Sequence, residues 1–133
     1  MWVCALNMKS FYLDRPLNFA HRGASYEAPE NTLAAFLLAA ELEADGIEFD
    51  VQISRDGEVV VIHDFCLETT TDGIGPVQER TLAELKELDA GSRFDSVFAG
   101  QQIPTLQEVV DAIGHRLLLN IELKTASPRD DGL

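Results

Sequence analysis

The stretch Gly46-Ile47-Glu48-Phe49-Asp50-Val51 decides the fold of this chain, together with His63-Asp64 a short distance downstream. Apolar residues alternate in it with carboxylates, and successive side chains of a strand point to opposite faces. The pattern predicts a strand that buries one face and aims Glu48 and Asp50 together from the other. Acidic residues at alternate positions also occur on plain solvated faces, so the neighbouring segments have to distinguish a surface from a site.

A hairpin is predicted directly after this strand. Asp56-Gly57 lies between extended segments, where Asp-Gly favours a two-residue turn, and the β-branched run Val59–Ile62 follows it. In that register Asp50 lies directly opposite His63, on the same face of the hairpin. The hairpin is therefore expected to bring a histidine beside the two carboxylates.

Two further predicted strands also end in polar residues. Residues 17–21 form the first and lead into His21-Arg22-Gly23, and Asn31 or Thr32 is expected to cap the helix that follows. Residues 117–124 form the last strand, whose polar face consists of Asn120, Glu122 and Lys124. Carboxylates therefore recur at strand ends, which favours a site over a plain surface.

These segments resemble the glycerophosphodiester phosphodiesterase family, a branch of the phospholipase C-like phosphodiesterases. The resemblance extends over nearly everything from Leu17 to Lys124, and the matching pieces keep the family's order and spacing. Any one piece is a weak signal, whereas all of them in register are specific. The pieces are His21-Arg22-Gly23, Pro29-Glu30-Asn31-Thr32, Gly46-Ile47-Glu48-Phe49-Asp50-Val51, Asp56-Gly57, His63-Asp64, Thr70-Thr71-Asp72-Gly73, Leu88-Asp89-Ala90-Gly91, Ile103-Pro104-Thr105-Leu106 and Asn120-Ile121-Glu122-Leu123-Lys124.

The resemblance implies an α/β fold, the N-terminal portion of a TIM (β/α)8 barrel. Such a barrel has about 250 residues, so this chain of 133 residues is expected to supply about three βα units. Residues 16–125 are expected to form the partial domain, with helices over residues 32–43 and 105–113. A hairpin-containing insertion is expected at about residues 52–102. Residues 1–15 are expected to be an N-terminal extension, and residues 126–133 a tail or truncation point.

The resemblance assigns metal binding to Glu48, Asp50 and Glu122, and the chemistry of these residues agrees with that assignment. Three carboxylates from two strands offer the oxygen ligands that Mg²⁺ or Ca²⁺ prefers. No thiolate or close histidine pair accompanies them, which argues against a structural zinc site. Clustered carboxylates repel one another, and a bound divalent cation would remove that conflict.

The resemblance assigns the remaining roles to two histidines and two cations. His21 and His63 correspond to the family's general acid and base, and imidazoles can divide the two proton transfers of a hydrolysis. Arg22 and Lys124 correspond to the phosphate contacts, Arg22 as a bidentate fork and Lys124 as a point charge. Two competing interpretations remain open, in which Arg22 only pairs with Glu48 and Lys124 only neutralises Glu122.

The charge balance excludes some classes of partner. Asp and Glu outnumber Lys and Arg by 23 to 10, a formal charge of −13, which opposes binding to nucleic acid and anionic membranes. Part of this charge is expected on a solvated helix over residues 81–89. No apolar run approaches the ~18 residues of a membrane span. Cys4 and Cys66 lack metal-site spacing, so we expect free, reduced thiols of a cytoplasmic protein.

The resemblance favours an enzyme that hydrolyses small-molecule glycerophosphodiesters to glycerol 3-phosphate and an alcohol. One alternative is a lysophospholipase D or a phosphatidylinositol phospholipase C-like phosphodiesterase, which has a similar plan of strand-borne carboxylates and histidines. Arg22 and the Pro29-Glu30-Asn31-Thr32 segment favour the first function over that alternative. Another alternative is an inactive fragment or a ligand-binding module, which the short chain favours. Uncovered strands are then expected to make such a fragment self-associate.

Overall fold

The strands of the chain build one mixed sheet, and short helices lie between several of them. The structure is a computed structural model and describes residues 15–125. The strands and α-helices of this part are β1 (Phe19–His21), α1 (Leu33–Glu41), β2 (Gly46–Ile53), β3 (Val59–Val61), α2 (Leu82–Lys86), α3 (Leu106–Ile113) and β4 (Leu118–Leu123). Short 3₁₀ turns lie between β3 and α3, at Leu67–Thr69, Val77–Glu79 and Ser96–Phe98.

β2 is the central strand of the sheet. β1 and β4 both pair with it in parallel, and β3 pairs with it in antiparallel orientation. Val51 pairs with Leu123 on one side and with Val61 on the other. β1 and β3 therefore pair with the same edge of β2, β1 near the start of the strand and β3 near its end. The three parallel strands β1, β2 and β4 run side by side and end at the same edge of the sheet.

Helices α1 and α3 cover the apolar face of this sheet. Ile47 and Phe49 of β2 are fully buried, and Phe36 of α1 packs on Phe49 with 5.4 Å between ring centroids. Helix α3 adds to the same core cluster with Val109 and Ile113. Strands whose connecting helices return over one face are the units of parallel α/β folds. The carboxylates at the alternate positions of β2 therefore face away from the helices.

The helices begin close to where the sequence predicts. Thr32 caps α1, and its Oγ1 accepts a hydrogen bond from the N–H of Ala35 at 3.3 Å. Thr105 caps α3 in a reciprocal capping box with Glu108. Helix α1 ends at Glu41, before the predicted end, because Glu43 has a left-handed φ of 59° that an α-helix cannot include.

The hairpin differs from the predicted one in its register. Ser54 pairs across a three-residue loop with the residue after Gly57, and its carbonyl accepts from the Gly57 N–H at 3.0 Å. Gly57 has a φ of 88°, the left-handed conformation of the residue that closes such a loop. Asp50 therefore lies opposite Ile62, whose N–H donates to the Asp50 carbonyl at 3.0 Å, and not opposite His63. The predicted two-residue turn was wrong, because the glycine closes a longer loop.

The predicted solvated helix of the insertion is shorter than expected. Helix α2 ends at Lys86, so Asp89 lies beyond it. The Asp89 carboxylate accepts hydrogen bonds from the hydroxyl and N–H of Ser92 and from the N–H groups of Gly91 and Gly100. These bonds, the Ser92 hydroxyl bond first among them, lower the pKa of Asp89. Asp89 organises a loop and does not simply supply charge to a helix surface.

The predicted extension and tail fall mostly outside the described residues. Residues 1–14, with Cys4, and residues 126–133 are not described, so the proposed domain limits remain predictions. Arg15 contacts the domain, with Nη1 2.9 Å from Oδ2 of Asp45, and this pairing lowers the pKa of Asp45 to about 2. Cys66 is an exposed free thiol. None of the helices within residues 15–125 is long and apolar enough to cross a membrane.

Candidate active site

The parallel register aligns the polar ends of three strands. His21 of β1 pairs with Glu48 of β2, and Asp50 of β2 pairs with Glu122 of β4. In parallel α/β folds the carboxyl ends of the strands are where ligands bind and where catalytic residues lie. The fold therefore brings the strand-borne candidates to the edge at which a site is expected.

Glu48, Asp50 and Glu122 form an acidic cluster. One carboxylate oxygen of each lies within 4.8 Å of the others. Asp50 is buried, with 1% of its side chain exposed, whereas 54% of the Glu122 side chain is exposed. Oε2 of Glu48 is buried and has no hydrogen-bond partner among the described residues. A buried carboxylate oxygen without a partner, in a cluster of hard oxygen donors, fits a divalent cation such as Mg²⁺ or Ca²⁺.

Asp50 is the most enclosed member of the cluster and has three polar neighbours. Nδ2 of Asn31 donates to its Oδ2 at 3.1 Å. Nε of Arg22 lies 3.4 Å from the same oxygen, and Nζ of Lys124 lies 3.5 Å from Oδ1. A carboxylate can be buried in this way only when charged and polar partners compensate its lost hydration. These partners hold the Asp50 carboxylate at the centre of the site.

Arg22 is held by its backbone as well as by its side chain. Its N–H donates to the Glu48 carbonyl at 2.7 Å, and its carbonyl accepts from the Asn31 N–H at 3.0 Å. Its φ of 58° is uncommon for a residue other than glycine and is typical of functional sites. Nη1 donates to Oε1 of Glu30 at 3.1 Å. The guanidinium therefore pairs with Glu30 and Asp50, and the simple pairing of Arg22 with Glu48 is not found.

Sequence reasoning missed two residues of the site, Glu30 and Asn31. Their position before Thr32 suggests only a helix start and a loop, but Glu30 orients Arg22 and Asn31 binds Asp50. Asn31 is 4% exposed and has a φ of 56°. Asparagine tolerates the left-handed conformation better than most residues. A polar residue of this type next to a helix cap is a weak signal, and nothing local indicates its contact with β2.

The two histidines have different surroundings. The His21 side chain is 69% exposed, and its Nε2 lies 3.6 Å from Oε2 of Glu48. The His63 side chain is 29% exposed, and its Nδ1 lies 3.1 Å from Oδ1 of Asp64. An Nδ1–H that donates to Asp64 leaves Nε2 as the ring nitrogen that can take or give a proton. His63 also lines a small cavity together with Glu30 and Asn31, the two residues that contact Arg22 and Asp50.

Lys124 lies between two of the carboxylates. Its Nζ donates to Oε1 of Glu122 at 2.7 Å and lies 3.5 Å from Oδ1 of Asp50. The hydrogen bond to Glu122 is the main cause that raises the pKa of Lys124, and the charge of Asp50 adds to it. Lys124 is therefore a full cation at neutral pH, and it contacts Asp50 as well as Glu122.

Solved structures share this fold. A glycerophosphodiester phosphodiesterase from Agrobacterium tumefaciens matches with a TM-score of 0.82 and 42% identity, over 89% of this chain and 51% of that one. A phosphodiesterase from Oleispira antarctica, in complex with the product sn-glycerol-3-phosphate, matches with a TM-score of 0.81 and 45% identity. That match covers 87% of this chain and 46% of the other. The chain is therefore the N-terminal portion of a TIM (β/α)8 barrel, which confirms the predicted fold class.

The sequence comparisons identify the family to which the chain belongs. The model of the glycerophosphoryl diester phosphodiesterase family matches residues 21–131, and the chain belongs to that family. A glycerophosphodiester phosphodiesterase of Caldanaerobacter subterraneus subsp. tengcongensis is 54% identical over 112 residues, 84% of this chain and 46% of that protein. Human glycerophosphodiester phosphodiesterase 1 is 40% identical over 114 residues, 84% of this chain and 34% of that protein. The chain thus spans less than half the length of these two relatives.

Proposed function

We propose that the chain carries the N-terminal part of the active site of a metal-dependent glycerophosphodiester phosphodiesterase. The reaction is hydrolysis of a glycerophosphodiester to glycerol 3-phosphate and an alcohol. The observation that carries the proposal is the cluster of Glu48, Asp50 and Glu122 within 4.8 Å, placed at the carboxyl ends of parallel strands. The product in the Oleispira antarctica structure, sn-glycerol-3-phosphate, supports the same reaction.

Arg22 and Lys124 are proposed to bind the phosphate. A phosphodiester carries a negative charge that repels nucleophiles, so cations on its non-bridging oxygens lower the barrier to attack. Both side chains lie within 3.5 Å of the buried Asp50 carboxylate, which fixes them at the edge of the site. Arg22 offers a planar fork that matches two phosphate oxygens, and Lys124 adds a compact charge.

Glu48, Asp50 and Glu122 are proposed to hold a divalent cation, Mg²⁺ or Ca²⁺. A bound cation supplies positive charge to the phosphoryl oxygens. Asp50 is the most enclosed candidate ligand, and Asn31 donates to it at 3.1 Å. The buried Glu48 Oε2 has an open acceptor position, and the exposed Glu122 can adjust its rotamer.

His21 and His63 are proposed to divide the proton transfers between the nucleophile and the leaving group. The His21 imidazole lies beside Glu48 of the acidic cluster, and the His63 imidazole lies beside Asp64. A carboxylate next to one ring nitrogen fixes the tautomer and leaves the other nitrogen for proton transfer. The exposed His21 ring is accessible to substrate and water, and the half-buried His63 ring is oriented by Asp64.

The test measures release of glycerol 3-phosphate from glycerophosphocholine. The assay uses the 133-residue chain alone and the chain supplied with the C-terminal barrel half of the Caldanaerobacter relative, which we call the assembled enzyme. We expect hydrolysis by the assembled enzyme, its loss in excess chelator and its return with Mg²⁺ or Ca²⁺. Lysophospholipids and phosphatidylinositol are assayed in parallel to identify the related activities. Full hydrolysis in excess chelator, with no metal found on the protein, would exclude the metal-dependent mechanism.

A second candidate function is ligand binding without turnover. The proposed phosphate residues are present in this chain, so a binding module would retain affinity for glycerol 3-phosphate. Calorimetric binding of glycerol 3-phosphate by the chain, without hydrolysis by either the chain or the assembled enzyme, would favour this function over the first.

A further inference from the structure

The segment that carries His63 leaves the sheet just before the histidine. β3 ends at Val61, and the last backbone bond to β2 is the one from the Ile62 N–H to the Asp50 carbonyl at 3.0 Å. Within residues 15–125 the backbone N–H groups of His63 and Asp64 make no backbone hydrogen bond. The ladder ends here because β1 occupies the same edge of β2 from Gly46 to Glu48. Another contact must therefore fix the backbone at this histidine.

Gln52 of β2 makes that contact. Its Nε2 donates to three successive carbonyl oxygens, those of Ile62 at 3.1 Å, His63 at 3.0 Å and Asp64 at 2.8 Å. An amide nitrogen carries only two hydrogens, so at least one hydrogen is shared between two carbonyls. In the described part of the chain, Gln52 is the only hydrogen-bond donor to these three oxygens.

The position of Gln52 links this contact to the acidic cluster. Gln52 follows Glu48 and Asp50 at alternate positions of one strand, so the three side chains share a face. Gln52 is 4% exposed, and a buried strand with neighbours on both edges limits its side chain to few rotamers. The same strand thus carries two candidate metal ligands, Glu48 and Asp50, and the Gln52 amide that binds the carbonyls around His63.

We infer that Gln52 is a positioning residue, which fixes His63 relative to the acidic cluster through the carbonyls of Ile62, His63 and Asp64. The inference rests on the proposed catalytic role of His63. Gln52 touches no reacting atom and acts through the backbone. The Asp64 carbonyl is bound by the same Gln52 amide, so the hydrogen-bonded pair of His63 and Asp64, 3.1 Å apart, is positioned as a unit.

The first test observes the histidine itself. The 133-residue chain is isotope-labelled and supplied with the unlabelled C-terminal barrel half, so only its three histidines give NMR signals, with His21 and His115 as internal references. Gln52→Met keeps the length of the side chain and removes the donor. We expect the His63 ring signal to shift and broaden in this variant, while those of His21 and His115 stay unchanged. A sharp His63 signal at its original position in folded Gln52→Met protein would overturn the inference.

The second test measures turnover in the assembled enzyme. We expect Gln52→Met to lower kcat about 10- to 100-fold, because small displacements of a catalytic group have effects of this size. KM is expected to change less than about threefold, because Arg22 and Lys124 are untouched. Loss of stability alone would lower the amount of folded enzyme and leave kcat per folded site unchanged, so that result would overturn the inference.

Matched variants separate the possible failures. Gln102 also donates its side-chain amide to a backbone carbonyl, that of Lys86 at 2.8 Å, but lies outside the site, so Gln102→Met should leave kcat unchanged. Gln52→Asn, which retracts the donor by about 1.5 Å, should give a smaller loss and tests the idea if the methionine variant does not fold. If His63→Ala retains wild-type turnover, the proposed role of His63 fails. If His63→Ala is inactive and both Gln52 variants are wild-type, only the positioning inference fails.

Discussion

The carboxyl ends of β2 and β4 carry the same kind of residue in very different surroundings. Asp50 on β2 has 1% of its side chain exposed, and Asn31, Arg22 and Lys124 all approach it. Glu122 on β4 is its partner in the sheet register, yet 54% of its side chain is exposed and Lys124 is its only hydrogen-bonding side chain among the described residues. One half of the acidic site is thus enclosed, and the other half is open.

The difference follows from the position of each strand in the sheet. β2 has strands on both edges, whereas β4 within residues 15–125 pairs only with β2. Leu123 and Ile121 of β4 are 77% and 37% exposed, although parallel barrel strands are normally covered on both faces. The enclosed side of the site therefore lies at the centre of the sheet, and the open side lies where a TIM barrel would place its next βα unit.

The largest expected effect comes from removing one of the two proposed proton-transfer groups. His21→Ala and His63→Ala should each lower turnover of the assembled enzyme about 10²–10⁴-fold, the usual contribution of general acid or base catalysis. Neither ring is in the core, so the thermal midpoint should hardly change. His115→Ala, at an exposed position after α3, is the control. Wild-type turnover of glycerophosphocholine by either site variant would show that its histidine has no catalytic role.

The sequence predicted the strand-borne part of this site better than the loop-borne part. Alternation along β2 and β4 places Glu48, Asp50 and Glu122 on one edge of the sheet, because the side-chain period of a strand is fixed. The hairpin register depends on whether Gly57 lies inside a two-residue turn or closes a three-residue loop, and Asp-Gly fits both. Asn31 was missed as a site residue because its contact with Asp50 spans 19 residues and has no local signature.

The same distinction holds for the rest of the fold. Thr32 and Thr105 mark the helix starts because a cap uses only neighbouring residues. The end of α1 depends on a left-handed Glu43, which no propensity indicates. Asp89 was assigned to a solvated helix because its acidic neighbours suggest one, while its bonds to Ser92 and Gly100 appear only in the folded loop. The cytoplasmic location remains a prediction.

The next largest effect is expected for metal binding, where Asp50 and Glu122 can be compared directly. Asp50→Asn should weaken binding of Mg²⁺ or Ca²⁺ by at least about 10- to 100-fold, since loss of even an outer-shell partner costs this much. Glu122→Gln should weaken it less, because the exposed Glu122 is less constrained than the enclosed Asp50. Calorimetric titration of the assembled enzyme measures both, with Asp111→Asn on the exposed side of α3 as control. A larger loss for Glu122→Gln would show that the enclosed carboxylate is not the stronger metal ligand.

The smallest expected effect concerns self-association through the exposed edge of β4, on the open side of the site. We expect the 133-residue chain alone to be poorly folded or self-associating and to have little activity, because the exposed edge and apolar residues of β4 can pair with another copy. Leu123→Lys should raise the apparent dissociation constant of this association about tenfold, since burial of one leucine contributes about 1.5 kcal/mol and each 1.4 kcal/mol is a factor of ten. Ile53→Lys is the control, at a 53% exposed position on β2.

Sedimentation measures the association, which the C-terminal barrel half of the assembled enzyme should abolish by covering β4. A monomeric chain that melts cooperatively and hydrolyses substrate without that half would show that the four strands form a complete unit, and that the open side needs no partner.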